Sequence, residues 1–306
     1  MSTGARPRRR AARDSAARLL VACALAVLSS AAPAAAKAWR GVVPLASTRA
    51  DVERLLGRPT REGGGLHFYD LRGEAAFVWF GDGKCDPWGV KWDVPGGTVT
   101  HVAVIPKRRV KVSALLDPSA AETENTTRDY AVHRDDRAGI LVESQNGHVV
   151  VATYEPGRAD WPRRCPVQEK PSHGFPHQFP FDVYGRIPRE DESARLDNYA
   201  NALIELPTMR GVIVAYGGRR GVRGEARERA ARAKSYLVGK RGIEPWRITT
   251  IDGGYREESV VELNVLPIGG IFTPVVAPTV APEEVEFVCR EAARRRPGRK
   301  VGRREN

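Results

Sequence analysis

Cysteine and histidine are scarce in this chain: four and six respectively in 306 residues, and no two cysteines form a C-x-x-C pair. A closed zinc site needs four such ligands at short spacing. His173 and His177 are close together, but they sit in a proline-rich stretch that does not fix ligands, so neither a metal nor another cofactor is expected. Also absent are a G-x-S-x-G nucleophile elbow, a G-K-[ST] phosphate loop and a dinucleotide-type glycine fingerprint. Glu257-Glu258 and Glu283-Glu284 are adjacent pairs. Neighbours in an extended chain point to opposite sides, which is not the facing geometry of a glycosidase. These absences predict a protein that is not an enzyme.

Long hydrophobic runs are missing as well, with one exception. Leu19 to Leu28 follows Arg6, Arg8, Arg9, Arg10, Arg13 and Arg18, and precedes Ser29, Ser30, Pro33 and Ala34-Ala35-Ala36. Basic, then apolar, then small is the order of a secretory signal, so residues 1–36 are expected to be a cleaved signal peptide. The apolar part falls short of the roughly 18 to 20 residues that a spanning helix needs, and no transmembrane span is expected after cleavage. Leu20-Val21-Ala22-Cys23 is similar to a lipoprotein cleavage box, which leaves lipidation at Cys23 as an alternative to cleavage after Ala36. Only four apolar residues precede that cysteine, too few for a working apolar region.

The net charge of +12 suggests nucleic acid until it is located. Residues 1–36 carry +5 and residues 290–306 carry +6, which leaves +1 for everything between. No nucleic-acid-binding face is expected on a near-neutral body. Export to an oxidising compartment makes a Cys85–Cys165 disulfide the natural pairing, with Cys289 left over.

Four segments follow the signal: an N-terminal α+β domain at 37–165, a proline-rich linker at 166–178, a second domain at 179–267 and a proline-rich, basic tail at 268–306. In the first, Ser47 or Thr48 can cap a helix, with Asp51 three after Thr48 in the manner of a capping box; Val52, Leu55 and Leu56 form its apolar face, and Gly57 with Pro59 ends it. Strand-like runs follow at 67–71, 75–80, 99–105, 139–143 and 148–154, with Gly73-Glu74 and Asn146-Gly147 as hairpin turns. The stretch Ser47 to Pro59, followed by Phe68-Tyr69, resembles the opening of SmpA/BamE-like envelope domains. That likeness implies a small α+β module and no function.

The second domain predicts strand, helix (190–206), strand (211–216), helix (225–240), strand (247–251), strand (260–266), that is, both helices on one face of a mixed sheet. Leu196, Tyr199, Ala200, Leu203 and Leu206 would be the buried face of the first helix, and Ala226, Ala230, Ala233 and Leu237 that of the second. A short helix is expected from Glu283. This order, with Arg232-Ala233-Lys234-Ser235-Tyr236-Leu237, Gly242-Ile243, Arg247-Ile248, Gly254-Tyr255-Arg256-Glu257 and Val261-Glu262, resembles the OmpA-like C-terminal domain. The resemblance implies a non-covalent hold on peptidoglycan, in the periplasm or at the outer membrane. In that family an Asp and an Arg fifteen residues apart clamp the stem peptide's ammonium and carboxylate. Here Arg232 stands at the arginine position, but Gly217 stands at the aspartate position, with Glu225 as a substitute from another angle.

Arg219, Arg220 and Arg223, in a glycine-rich loop before a helix start, would add contacts to a carboxylate or phosphate. Arg232 could equally form a surface ion pair beside Glu225, and Arg229, four after Glu225, is expected in such a pair. The expected partner is peptidoglycan or another anionic envelope polymer. The alternative is a domain that has lost its ligand and works as an interaction or structural module with an envelope protein.

Overall fold

The computed structural model describes residues 37–85, 91–124, 127, 129–166, 180–272 and 277–288. The signal segment with Cys23, the linker histidines, Cys289 and the basic end lie outside the described residues.

The chain opens with helix α1 (Arg49–Leu56). Thr48 and Asp51 cap it reciprocally, and Gly57 ends it at φ 82°, ψ −166°, a conformation open mainly to glycine. An antiparallel eight-stranded sheet follows, in the order β1-β2-β3-β4-β8-β7-β6-β5. Its strands are β1 (Arg61–Gly63), β2 (Leu66–Asp70), β3 (Glu74–Phe80), β4 (Val99–Pro106), β5 (Glu122–Glu124), β6 (Tyr130–Asp135), β7 (Ile140–Gln145) and β8 (His148–Tyr154). Asn146 and Gly147 both take positive φ (49° and 73°), as a two-residue type I′ hairpin requires. The disulfide Cys85–Cys165, with Cα atoms 5.4 Å apart, ties the segment after β3 to the end of this half.

The second sheet is mixed, in the order β12-β10-β13-β9. It comprises β9 (Asp182–Tyr184), β10 (Met209–Gly218), β12 (Ile248–Arg256) and β13 (Val260–Pro267). β10 runs parallel to β12 and antiparallel to β13. Helices α2 (Arg189–Glu205) and α3 (Glu225–Gly239) both pack on one of its faces. There Leu196, Tyr199 and Leu203 from α2 and Ala226, Ala230, Ala233 and Leu237 from α3 meet Ile213, Ala215, Val261 and Leu263. Gly211 allows the close approach: a Cβ there would lie 2.5 Å from the Tyr199 hydroxyl, which donates to the Asn264 carbonyl. Leu206, expected on that buried face, is instead exposed, because α2 ends at Glu205 and Leu206 turns out of the helix at φ −114°, ψ 76°.

The opposite face of this sheet is covered by the first sheet. Val212, Val214, Tyr216 and Ile251 pack with Tyr130, Val132 and Leu141. β3 explains how the first sheet reaches both ways. Ala76, Val78 and Phe80 join one core, while Ala75 and Phe77 join another that includes Ile268. A strand buried on both faces reads as a continuous apolar run, as Ala75 to Phe80 does. The alternation also decides what crosses the seam: Glu143 shares a parity with Leu141, and Arg210 with Val212, so both point into the shared interior and form a buried ion pair.

The segment after β13 departs from a simple tail. Ile268 and Phe272 are buried. Val280 bridges Tyr255, a single 3₁₀ turn spans Pro282–Glu284 in place of the expected helix, and β14 (Glu286–Phe287) pairs in parallel with β11 (Arg220–Gly221). Proline at 278 and 282 and the backbone bonds from Glu286 and Val288 to Arg219 and Gly221 hold this stretch extended.

Candidate functional site

The residues expected to receive a ligand lie around the start of α3, and each already has a partner within the chain. Arg232 forms a two-pronged bond to Glu192, with Nε and Nη2 both 3.0 Å from the carboxylate oxygens. This fork geometry is the strong form of an arginine–carboxylate contact, and the hydrogen bond to Glu192 raises the arginine's pKa. Glu192 was not singled out from the sequence, yet it stands four residues before Leu196, on the buried stripe of α2. Its side chain is 9% exposed against 44% for Arg232, so the carboxylate is fixed and the guanidinium reaches outward from it.

Glu225 is held by Arg186, at 2.9 Å for both prongs. Arg186 also donates to the Arg220 carbonyl at 3.2 Å, which ties the loop to the end of β9. Arg219 makes a paired bond to Glu257 at 2.8 Å, and Glu284 lies 4.0 Å away. Arg220 meets Glu286 at 3.0 Å, and the Arg223 guanidinium stands 4.5 Å over the Phe287 ring. The strap containing β14 thus lays Glu284, Glu286 and Phe287 along the three loop arginines. It brings together Arg219, Arg220 and Arg223 on one edge, and Arg232 stands apart on the α2–α3 contact.

Arg229 corrects an expectation. It is buried rather than paired on the surface: Nη1 donates to the Ser259 hydroxyl at 2.7 Å and Nη2 to the Gly185 carbonyl at 2.5 Å. Desolvation lowers its pKa. Its position on the Ala226/Ala230/Ala233 side of α3 is the helical-spacing signal that could have revealed this. Gly217 has a neighbour where an aspartate side chain would start: a Cβ there would lie 2.8 Å from the Tyr255 ring.

A cleft of about 460 Å³ opens between the sheets, bordered by Lys107, Gln145, Val149, Lys234 and Trp246. Lys234 donates to the Ile248 carbonyl at 2.6 Å, and burial lowers its pKa, so it serves as a strut between α3 and β12. Among the described residues, no three His, Cys, Asp or Glu side chains gather as metal ligands, and no helix is long and apolar enough to cross a membrane. Comparison with protein-family models, with curated proteins and with solved structures finds no match for this chain.

Proposed function

We propose that this is a non-enzymatic cell-envelope protein whose C-terminal half is an OmpA-like domain retained as a structural and protein-interaction module. The carrying observation is the Arg232–Glu192 fork. A stem-peptide carboxylate would have to displace a buried carboxylate already bound through both oxygens. The Tyr255 ring beside Gly217 adds to it, since the side that would receive an ammonium partner is filled by an aromatic ring. The strand order and the two helices on one sheet face support the OmpA-like reading. The Cys85–Cys165 disulfide supports an oxidising, exported location.

The other reading, association with peptidoglycan, is favoured by one observation: the Arg232 side chain is 44% exposed and accessible to a competing carboxylate. Sedimentation of the mature protein with purified sacculi separates the two. The module reading expects the protein to remain in the supernatant and Arg232→Ala to change nothing. Retention on sacculi that Arg232→Ala abolishes would overturn it in favour of peptidoglycan binding.

A further inference from the structure

The strand edge before α3 is occupied by the chain's own strap. Glu286 N–H donates to the Arg219 carbonyl at 2.8 Å, and Val288 N–H donates to the Gly221 carbonyl at 3.0 Å. The side chains follow the same parallel register of β14 on β11. Glu284 stands 4.0 Å from Arg219, and Glu286 meets Arg220 at 3.0 Å. The Phe287 ring lies under the Arg223 guanidinium at 4.5 Å and edge-on to Tyr255, with ring centroids 6.2 Å apart. Two acids and a ring are thus each met by a different arginine, while the main chain supplies hydrogen bonds. Strand-addition recognition divides its work in this way: backbone bonds give affinity and side-chain contacts give specificity.

The edge is built, and its occupant is not anchored. Arg186 donates to the Arg220 carbonyl at 3.2 Å and holds Glu225 through both prongs at 2.9 Å. A Cβ at Gly221 would lie 2.5 Å from that Glu225 carboxylate, so glycine lets the edge sit tightly on the ion pair. Arg219 is held by Glu257 through both prongs at 2.8 Å and keeps its place without Glu284. On the strap, by contrast, no side chain from Ala281 to Val288 is buried. The side chains of Glu284 and Glu286 are 50% and 65% exposed. Ion pairs this open compete with water and are weakened by salt.

A fixed edge and an occupant with no anchor in the core make an exchangeable contact, since an exposed edge is a template for any strand that matches it. We infer that the Arg219–Arg223 edge docks an extended peptide of a partner protein with the pattern acid-x-acid-aromatic, and that residues 284–287 are a built-in copy of that peptide. The inference rests on the interaction-module reading and names the partner's chemistry. Arg232, on which that reading is tested, stands apart on the α2–α3 contact, so the two can fail separately.

Fluorescence anisotropy of a labelled peptide with the sequence of residues 282–288 tests it on the full mature protein. Glu286→Pro removes the N–H given to the Arg219 carbonyl and the acid held by Arg220. Phe287→Ser removes the ring and leaves the backbone bonds. Both variants should melt with the wild type and bind the peptide saturably. The wild type should bind at least about tenfold more weakly, because its strap competes as an intramolecular ligand at an effective concentration of about a millimolar. Replacing the peptide's glutamates with lysine, or adding Arg220→Glu to Glu286→Pro, should each weaken binding by about tenfold. No saturable binding to either strap variant, equal binding of the lysine peptide, or a wild type that binds as tightly as the variants would overturn the inference. A lowered melting temperature in both variants would overturn it by making the strap a fixed part of the fold. A wild-type dimer that Glu286→Pro converts to monomer would overturn it in favour of strap exchange between two copies.

Discussion

Replacing Arg210 with Met should destabilise the protein severely, although Arg210 touches no proposed ligand. Its guanidinium is 1% exposed and its partner Glu143 0%, and the pair bridges the two sheets. Tyr130 donates to the same Glu143 carboxylate, and Arg210 also donates to the Gly270 carbonyl at 3.0 Å. Removing the arginine leaves a carboxylate in an apolar interior, which costs about 3 to 5 kcal/mol in comparable buried pairs. With a urea m-value of about 3 kcal/mol/M for a domain of this size, the midpoint should fall by about 1 to 1.7 M. The triple variant Arg210→Met/Glu143→Leu/Tyr130→Phe removes the three polar side chains, leaving only the Gly270 carbonyl of the network, and should recover most of that loss. Among the described residues, Arg210 Nε and Nη1 and Glu143 Oε1 have no hydrogen-bond partner, so the wild-type network is only partly satisfied. Urea unfolding followed by circular dichroism measures all of these. A single-variant cost below about 1 kcal/mol, or a triple variant as unstable as the single, would refute the reasoning.

Reduction of Cys85–Cys165, or its replacement by two alanines, should cost at most about 4 to 5 kcal/mol, since the cysteines are 80 residues apart and the chain-entropy relation scales with the logarithm of that loop; denaturant titration with and without reductant reads it. His101 has a folded pKa near 4 against an ordinary 6.5. The unfolded chain therefore takes up the proton first, and stability should decline as pH falls from about 6.5 to 4, by up to about 3 kcal/mol. His101→Gln should flatten that part of the pH–stability curve, and an unchanged slope would count against it. Gly217→Asp should lower the melting temperature, because its Cβ would lie 2.8 Å from the Tyr255 ring and overpacking costs about 1 to 3 kcal/mol. A melting curve identical to the wild type would show that Tyr255 moves aside freely.

The long helices were legible because their apolar residues repeat at helical spacing, from Leu196 to Leu203 and from Ala226 to Leu237, and α1 because Thr48 and Asp51 cap it locally. The α+β class followed from the same local signals, whereas the cysteine pair followed from the signal-like first 36 residues and the oxidising compartment they imply. β1 and β5, three residues each, carry no such signal: Arg61–Gly63 is exposed throughout, and its place depends on pairing with β2. β14 is strand only because Arg220 and Gly221 lie alongside it, 66 residues earlier in the chain at each position. Charge partners were illegible for the same reason, since Arg232 and Glu192 are 40 residues apart and meet only through the packing of α2 on α3. Arg229 shows the cost of reading an arginine as surface by habit, when its helical position placed it among alanines.

The shared interior between the two sheets bears on inheritance. The second sheet has helices on one side and the first sheet on the other, with Arg210 and Glu143 matched across the join. A stretch of gene encoding only the latter half would yield a protein with a bare wall of Val212, Val214, Tyr216 and Ile251 around a stranded cation. In this chain the latter half is matched to the half that covers it, so each part constrains how far the other can diverge.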